Sequence, residues 1–239
     1  MENFYQGVPA IKPNCMQNSR MLTLQRSGKV FFRMLFWIPV AGFSLLLVYN
    51  TLPYFSLNKD FSFIQERSLL FRDSLYAACF YTHIFAGVLC ITTALIQFSR
   101  YVLKKSKGIH RWSGKIYVAV VLFLGAPTGL YMSFFAKGSF WERALFMFMA
   151  TFWFITTFYG LRVIHKGNVL AHRIWMMRSY AMAMTAVTFR VYHIAFYLAG
   201  WGHLENYEVS LWISVIGNML FAEYLIYRKC RSYLKSFAI

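Results

Sequence analysis

The sequence predicts an all-α polytopic membrane protein: a six-transmembrane-helix bundle with both termini in the cytoplasm. Three observations predict it. Of 239 residues, 59% are hydrophobic and only 14% charged, and the mean hydropathy is +0.46. Six apolar stretches are each long enough to cross a bilayer, which takes about 20 residues at 1.5 Å rise. Lysine and arginine are concentrated on one side of those stretches. Soluble domains carry roughly 25% charged residues and about 45–50% apolar ones. An ordinary soluble enzyme and a disordered chain are both excluded.

The elements follow in chain order. Residues 1–30 form a basic, polar N-terminal arm, residues 31–228 the transmembrane domain, and residues 229–239 a basic tail. The first apolar run begins near Phe31 with no small-residue cleavage site after it, so it acts as a retained anchor and not a signal peptide. The spans are predicted at 34–54, 75–98, 116–136, 144–164, 174–198 and 210–227. Runs such as 118–125 do not alternate as the strands of a membrane barrel would. Pro39 and Pro127 fall inside spans, where neighbouring helices re-satisfy the freed carbonyls. The stretch Gly125-Ala126-Pro127-Thr128-Gly129 bends the third span or packs it closely against a neighbour.

Orientation follows from the loops. The arm carries Lys12, Arg20, Arg26, Lys29 and Arg33, and the loop after the second span carries Arg100, Lys104, Lys105, Lys107, Arg111 and Lys115. The loop after the fourth holds Arg162, Lys166, Arg173 and Arg178, and the tail holds Arg228, Lys229, Arg231 and Lys235. The opposite loops have Lys59, Arg67, Arg72, Lys137 and Arg143, and the last of them only Glu205 and Glu208. Multi-pass insertion in the inner (cytoplasmic) membrane accounts for the net charge of +17, with anionic lipid and not nucleic acid as its partner. The four cysteines form no CxxC pair and no metal-ligand spacing.

The second and third spans echo the fourth and fifth. Arg100 precedes His110 as Arg162 precedes His172, and Lys115 and Tyr117 correspond to Arg178 and Tyr180. A parallel repeat of this kind brackets a site at its own interface.

No HExxH, GxSxG, Walker or GxGxxG signature is present. Ionisable groups in hydrocarbon are costly and therefore become the candidates. By residue count His83 and His193 share one depth in the outer half. Two imidazoles on facing helices are what a six-coordinate haem b needs for electron transfer, and the two are the expected metal ligands. Gly87 lies one turn from His83 and leaves room for a flat macrocycle, and Arg190 shares a face with His193 and suits a propionate. His110 and His172 form an inner pair which, with Arg173 and Arg178, makes a cytoplasmic site for a quinone or small anion. The alternative function is non-catalytic: a carrier or binding protein for a lipid or small anion, cradled by the twin His-Arg steps, or a helical subunit of a larger complex. Glu223 is expected to pair with Arg228 one turn on.

The stretches His83-Ile84-Phe85-Ala86-Gly87, Gly108-Ile109-His110-Arg111-Trp112-Ser113-Gly114-Lys115-Ile116-Tyr117, Gly125-Ala126-Pro127-Thr128-Gly129-Leu130, His172-Arg173-Ile174-Trp175-Met176-Met177-Arg178-Ser179-Tyr180-Ala181 and Val187-Thr188-Phe189-Arg190 resemble the bacterial membrane-protein family catalogued as domain of unknown function 2306. The resemblance covers a core of 75–201 and leaves the first and last spans outside the motif-bearing region. It implies a helical membrane protein and no particular reaction. A looser likeness is to di-haem b-type cytochrome bundles, from which this chain departs in carrying two candidate ligands on one helix and none on the fourth span.

Overall fold

Each long helix after the first starts at a polar cap or a sharp turn, because the first-turn N–H groups of a helix lack intrahelical partners. In the computed structural model, which describes residues 38–56 and 60–235, helix α1 runs over Ile38–Ser56. Helix α2 (Ser74–Phe98) starts behind Asp73, whose carboxylate accepts from the Leu75 amide. Helix α3 (Lys107–Ser133) starts behind Ser106. Helix α4 (Phe140–His165) has a capping box between Ser139 and Glu142. Helix α5 (Val169–Leu198) is capped by Asn168, after a turn in which Gly167 takes φ +76°, a left-handed conformation suited to glycine. Helix α6 covers His203–Lys235. Short helical turns at Ser62–Glu66 and Leu70–Arg72 join α1 to α2, and one at Arg100–Lys105 joins α2 to α3.

All six helices are long and apolar enough to span a membrane. The N-terminal arm, the first residues of the predicted first span and the end of the tail lie outside the described residues. Three boundaries need correction. The third helix begins at Lys107, well before the predicted residue 116, the fifth at Val169 instead of 174, and the sixth runs over His203–Lys235 instead of 210–227. The added turns carry charged or polar residues such as Lys107, Arg111, His172, Arg173, Glu205 and Glu208, so hydropathy alone does not register them. His110, expected just ahead of its span, therefore lies inside the helix, and His165 and His203, expected in loops, are helix-end residues.

Packing within the unit Phe43–Ile239 sets α2 beside α3, α3 beside α4, α4 beside α5, and α5 back against α2, with α6 over α4 and α5. The part of α1 from Phe43 onward packs on α2 and α5 through Leu47, Ile91 and Val187. Successive helices run antiparallel. One end of the bundle carries Lys104, Lys105, Arg111, Lys115, Arg162, Lys166 and Arg173. At the other end lie Asp60, Glu66, Asp73, Glu142, Glu205 and Glu208. We call them the basic and the acidic end. At the acidic end Lys137 Nζ meets Glu66 at 2.5 Å and holds its carboxyl below the usual carboxylate range.

Between the helices the contacts are small residues and hydroxyls. A Cβ on Gly125 would stand 3.2 Å from the Trp153 ring of α4, and one on Gly160 would stand 2.7 Å from Met176 Sδ of α5. Helix α3 contains a π turn at Val121–Gly125, where the Ala126 amide reaches back to the Val121 carbonyl. Pro127, which has no N–H, follows directly, so the small-residue stretch both packs closely and disrupts the α-helical ladder. In the core, Trp153 Nε1 donates to Tyr117 Oη (3.2 Å), Tyr117 Oη shares a proton with Ser179 Oγ (2.9 Å), and Ser179 Oγ with Thr157 Oγ1 (2.7 Å). Tyr117, Ser179 and Thr157 are all buried, so this seam ties α3, α4 and α5 together where no water competes.

Hydrogen bonds between membrane helices are worth about 0.6–1.7 kcal/mol each. Ser179→Ala removes the hydroxyl that bridges two of them. It is expected to lower stability by about 1–2 kcal/mol, measured by thermal or denaturant unfolding in detergent, whereas Ser68→Ala, at an exposed position between α1 and α2, is expected to have little effect.

Candidate functional site

The polar side chains of the bundle sit at two levels. Nearer the acidic end, His83 of α2 turns toward α3. Its Nδ1 lies 3.0 Å from the Gly125 carbonyl and 3.2 Å from Thr128 Oγ1. A carbonyl can only accept, so Nδ1 carries the proton. The Thr128 hydroxyl spends its own proton on the Leu124 carbonyl at 2.5 Å. These contacts satisfy carbonyls beside the π turn and Pro127. The ring also packs onto Gly129, where a Cβ would come within 2.9 Å of His83 Cε1.

His193 of α5 has different neighbours. Its ring stacks on Phe189 (centroids 5.6 Å apart) and lies 6.1 Å from His203 of α6, while Asn206 donates to its carbonyl at 3.0 Å. With Arg190 and Asn50 it lines a cavity of about 100 Å³ between α1 and α5, and His83 is not among the lining residues. Gly87 has open space over its Cα and no packed partner. A haem held by both imidazoles would need His83 and His193 on one gap. Among the described residues the structure does not bring them to one, because the ring of His83 is engaged by α3 and that of His193 lies toward α6. Their shared depth follows from counting residues, but their directions around the helix axes differ.

At the basic end His110 and His172, which occupy corresponding positions in the two similar stretches of sequence, lie within electrostatic range of each other, and His110 within that of Arg173. His172 Nδ1 donates to the Gly160 carbonyl of α4 at 2.8 Å. The His110 carbonyl accepts from Gln97 Nε2, which also reaches Ser113 Oγ at 2.6 Å. The buried His110 Nδ1 has no hydrogen-bond partner among the described residues. Two cation–π contacts repeat the pattern, with Lys115 Nζ 5.2 Å from the Trp112 ring and Arg178 Cζ 4.9 Å from that of Trp175.

Arg178 is not available to that site. It grips Glu223 of α6 with Nε at 2.5 Å and Nη2 at 3.0 Å, a two-pronged ion pair. This corrects the expected partner of Glu223, since Arg228 lies instead over the Tyr224 ring at 5.8 Å. Glu223 meets Arg178 because α6 lies along α5, which spacing within one helix does not reveal. Among the described residues Arg173 and Arg111 have no ion pair. Sequence reasoning missed Gln97, Gly160 and Asn50. Asn50 had a usable signal, an amide near the end of an apolar run.

The comparisons with known proteins add one match. The family described as "Predicted membrane protein (DUF2306)" matches residues 80–226, more than half of the chain. The match reaches through most of α6, so the last helix belongs to the family region, while α1 stays outside it. No curated protein and no solved structure matches.

His83→Ala would leave the Gly125 carbonyl and Thr128 short of a donor in hydrocarbon. The variant is expected to lose about 1–3 kcal/mol in detergent unfolding. Gly129→Val is expected to destabilise the same contact by crowding the ring.

Proposed function

The chain belongs to the DUF2306 family of predicted membrane proteins, and from that premise we propose that it is a non-catalytic binding protein for an anion bearing phosphate or carboxylate. In this reading it lies in the inner membrane with its basic end cytoplasmic, as the distribution of Lys and Arg favours. One observation carries the reading. His110, from the first turn of α3, lies within electrostatic range of His172 and Arg173 from the start of α5, and among the described residues none of the three has an acidic partner. The acidic residue described nearest that end, Glu223, is occupied by Arg178. Three polar or cationic side chains without a balancing carboxylate form a ready anion cradle at a membrane surface. Arg173 supplies a permanent charge and a planar fork of donors, and His110 Nδ1 is a polar atom still without a partner.

Arg178 then serves as a clamp between α5 and α6 and not as a ligand. Trp112 and Trp175 form the apolar rim. The shared chemistry of a lipid headgroup and a free anion is an oxyanion, so both are probes.

Isothermal titration of the detergent-solubilised protein with inorganic phosphate and with a short-chain phosphatidic acid tests this directly. Binding of either is expected to weaken about tenfold or more in Arg173→Gln, as loss of a charge-assisted contact implies, and to weaken in His172→Ala. Affinity that is unchanged in both variants overturns the proposal. A Soret band in the purified protein, lost on His83→Ala, would overturn it in favour of haem-based electron transfer.

A further inference from the structure

Arg190 presents a different problem from the basic end. It lies eight residues before the end of α5 at Leu198, about 12 Å inside the helix end at 1.5 Å per residue. A lone arginine at such a depth usually snorkels, extending its stem toward the nearer surface. Here the side chain goes the other way. Its Nη1 donates at 2.8 Å to the Ala186 carbonyl, one turn closer to the middle of the span. That is the only hydrogen bond it makes among the described residues, and it has no carboxylate in ion-pair range. Its remaining guanidinium N–H groups are left over in hydrocarbon, where an unmatched charge is costly.

The cavity beside it supplies the rest of a site. Arg190, His193 and Asn50 provide the polar part of the lining, and Phe43, Leu46, Leu47, Val187 and Ile194 provide apolar walls. Asn50 is six residues before Ser56 at the end of α1 and His193 five before Leu198, so the three polar groups share one level. The Tyr54 phenol lies within electrostatic range of Arg190. The α1 wall facing the cation is apolar apart from Asn50, and no acidic residue lines the cavity.

We propose that the cleft between α1 and α5 binds the anionic head of an acyl-chain amphiphile, with Arg190 as its counter-charge. His193 and Asn50 hydrogen-bond the head, and Leu46, Leu47 and Ile194 receive the first part of the chain. Charge complementarity selects the head, because the one fixed charge in the cleft is positive and unbalanced. The apolar walls and membrane depth select the tail. The site is at the opposite end of the bundle from the His110–His172–Arg173 cradle and does not depend on it.

The test is native mass spectrometry and competition binding of the full chain in a neutral detergent, with oleate and phosphatidylglycerol as separate probes and phosphatidylcholine as control. One of the two anionic probes is expected to bind the wild-type protein in preference to phosphatidylcholine, and which one identifies the natural head as carboxylate or phosphate. Arg190→Gln is expected to lose that preference by about tenfold or more, while Arg190→Lys keeps most of it. Ile194→Trp, which fills the apolar wall and leaves the charge, is expected to abolish binding. Unfolding temperatures close to wild type would show that these variants are folded. Anionic and zwitterionic lipids binding alike, or a preference that survives both Arg190→Gln and Ile194→Trp, would overturn the proposal. If Arg190→Gln does not fold, Ile194→Trp decides alone.

Discussion

A polar atom in the hydrocarbon core has no water to turn to, and the arrangement of this bundle follows from that constraint. The seam Trp153–Tyr117–Ser179–Thr157 joins three helices through hydroxyls buried in an otherwise apolar core. His83 plays the same part between α2 and α3, at the place where Pro127 and a π turn disturb the ladder. Asn218 of α6 does it again, reaching the Ala181 carbonyl and the hydroxyls of Thr185 and Thr188 on α5. Because lipid is as apolar as leucine, burial of apolar surface drives little association here. Close approach at Gly125, Gly129 and Gly160 and these directed bonds do most of the aligning.

Seen this way, the histidines divide by what their second nitrogen can do. His83 and His172 both give the Nδ1 proton to a backbone carbonyl on a neighbouring helix. That fixes the tautomer and leaves Nε2 free. His83 is engaged by α3 through Gly125, Thr128 and Gly129, and there it braces α2 against α3. His172 stands near the start of α5, within electrostatic range of His110. One side-chain chemistry thus braces two helices at one level and ties a helix start to its neighbour beside other basic groups at the other, and the difference lies in the surroundings.

Arginine shows the same dependence on context. Arg178 finds Glu223 and pins α6 to α5. Arg173 is left unpaired at the basic end, and Arg190 is left with a single carbonyl inside the acidic half. Among the described residues no carboxylate stands within ion-pair range of either, while the Arg178–Glu223 pair is internally complete.

The amino-acid order by itself determined the membrane spans, their alternation and the segregation of basic from acidic residues, because each is a property of composition along one dimension. It also determined depth: counting along helices put His83 with His193 at one level and His110 with His172 at the other. That the latter two come within electrostatic range of each other was legible because two similar stretches of sequence place them at corresponding helix starts. Only the tertiary structure decided direction. Which way His83 faces around α2, that Glu223 answers Arg178 rather than Arg228, and that Arg190 turns toward Ala186 and not the surface all depend on the rotation of each helix against its neighbours. That rotation is set by glycine contacts and interhelical hydrogen bonds between residues far apart in the chain. In a nearly uniform apolar sequence the hydrophobic pattern does not mark an inward face, so the periodicity that orients a soluble amphipathic helix was missing here.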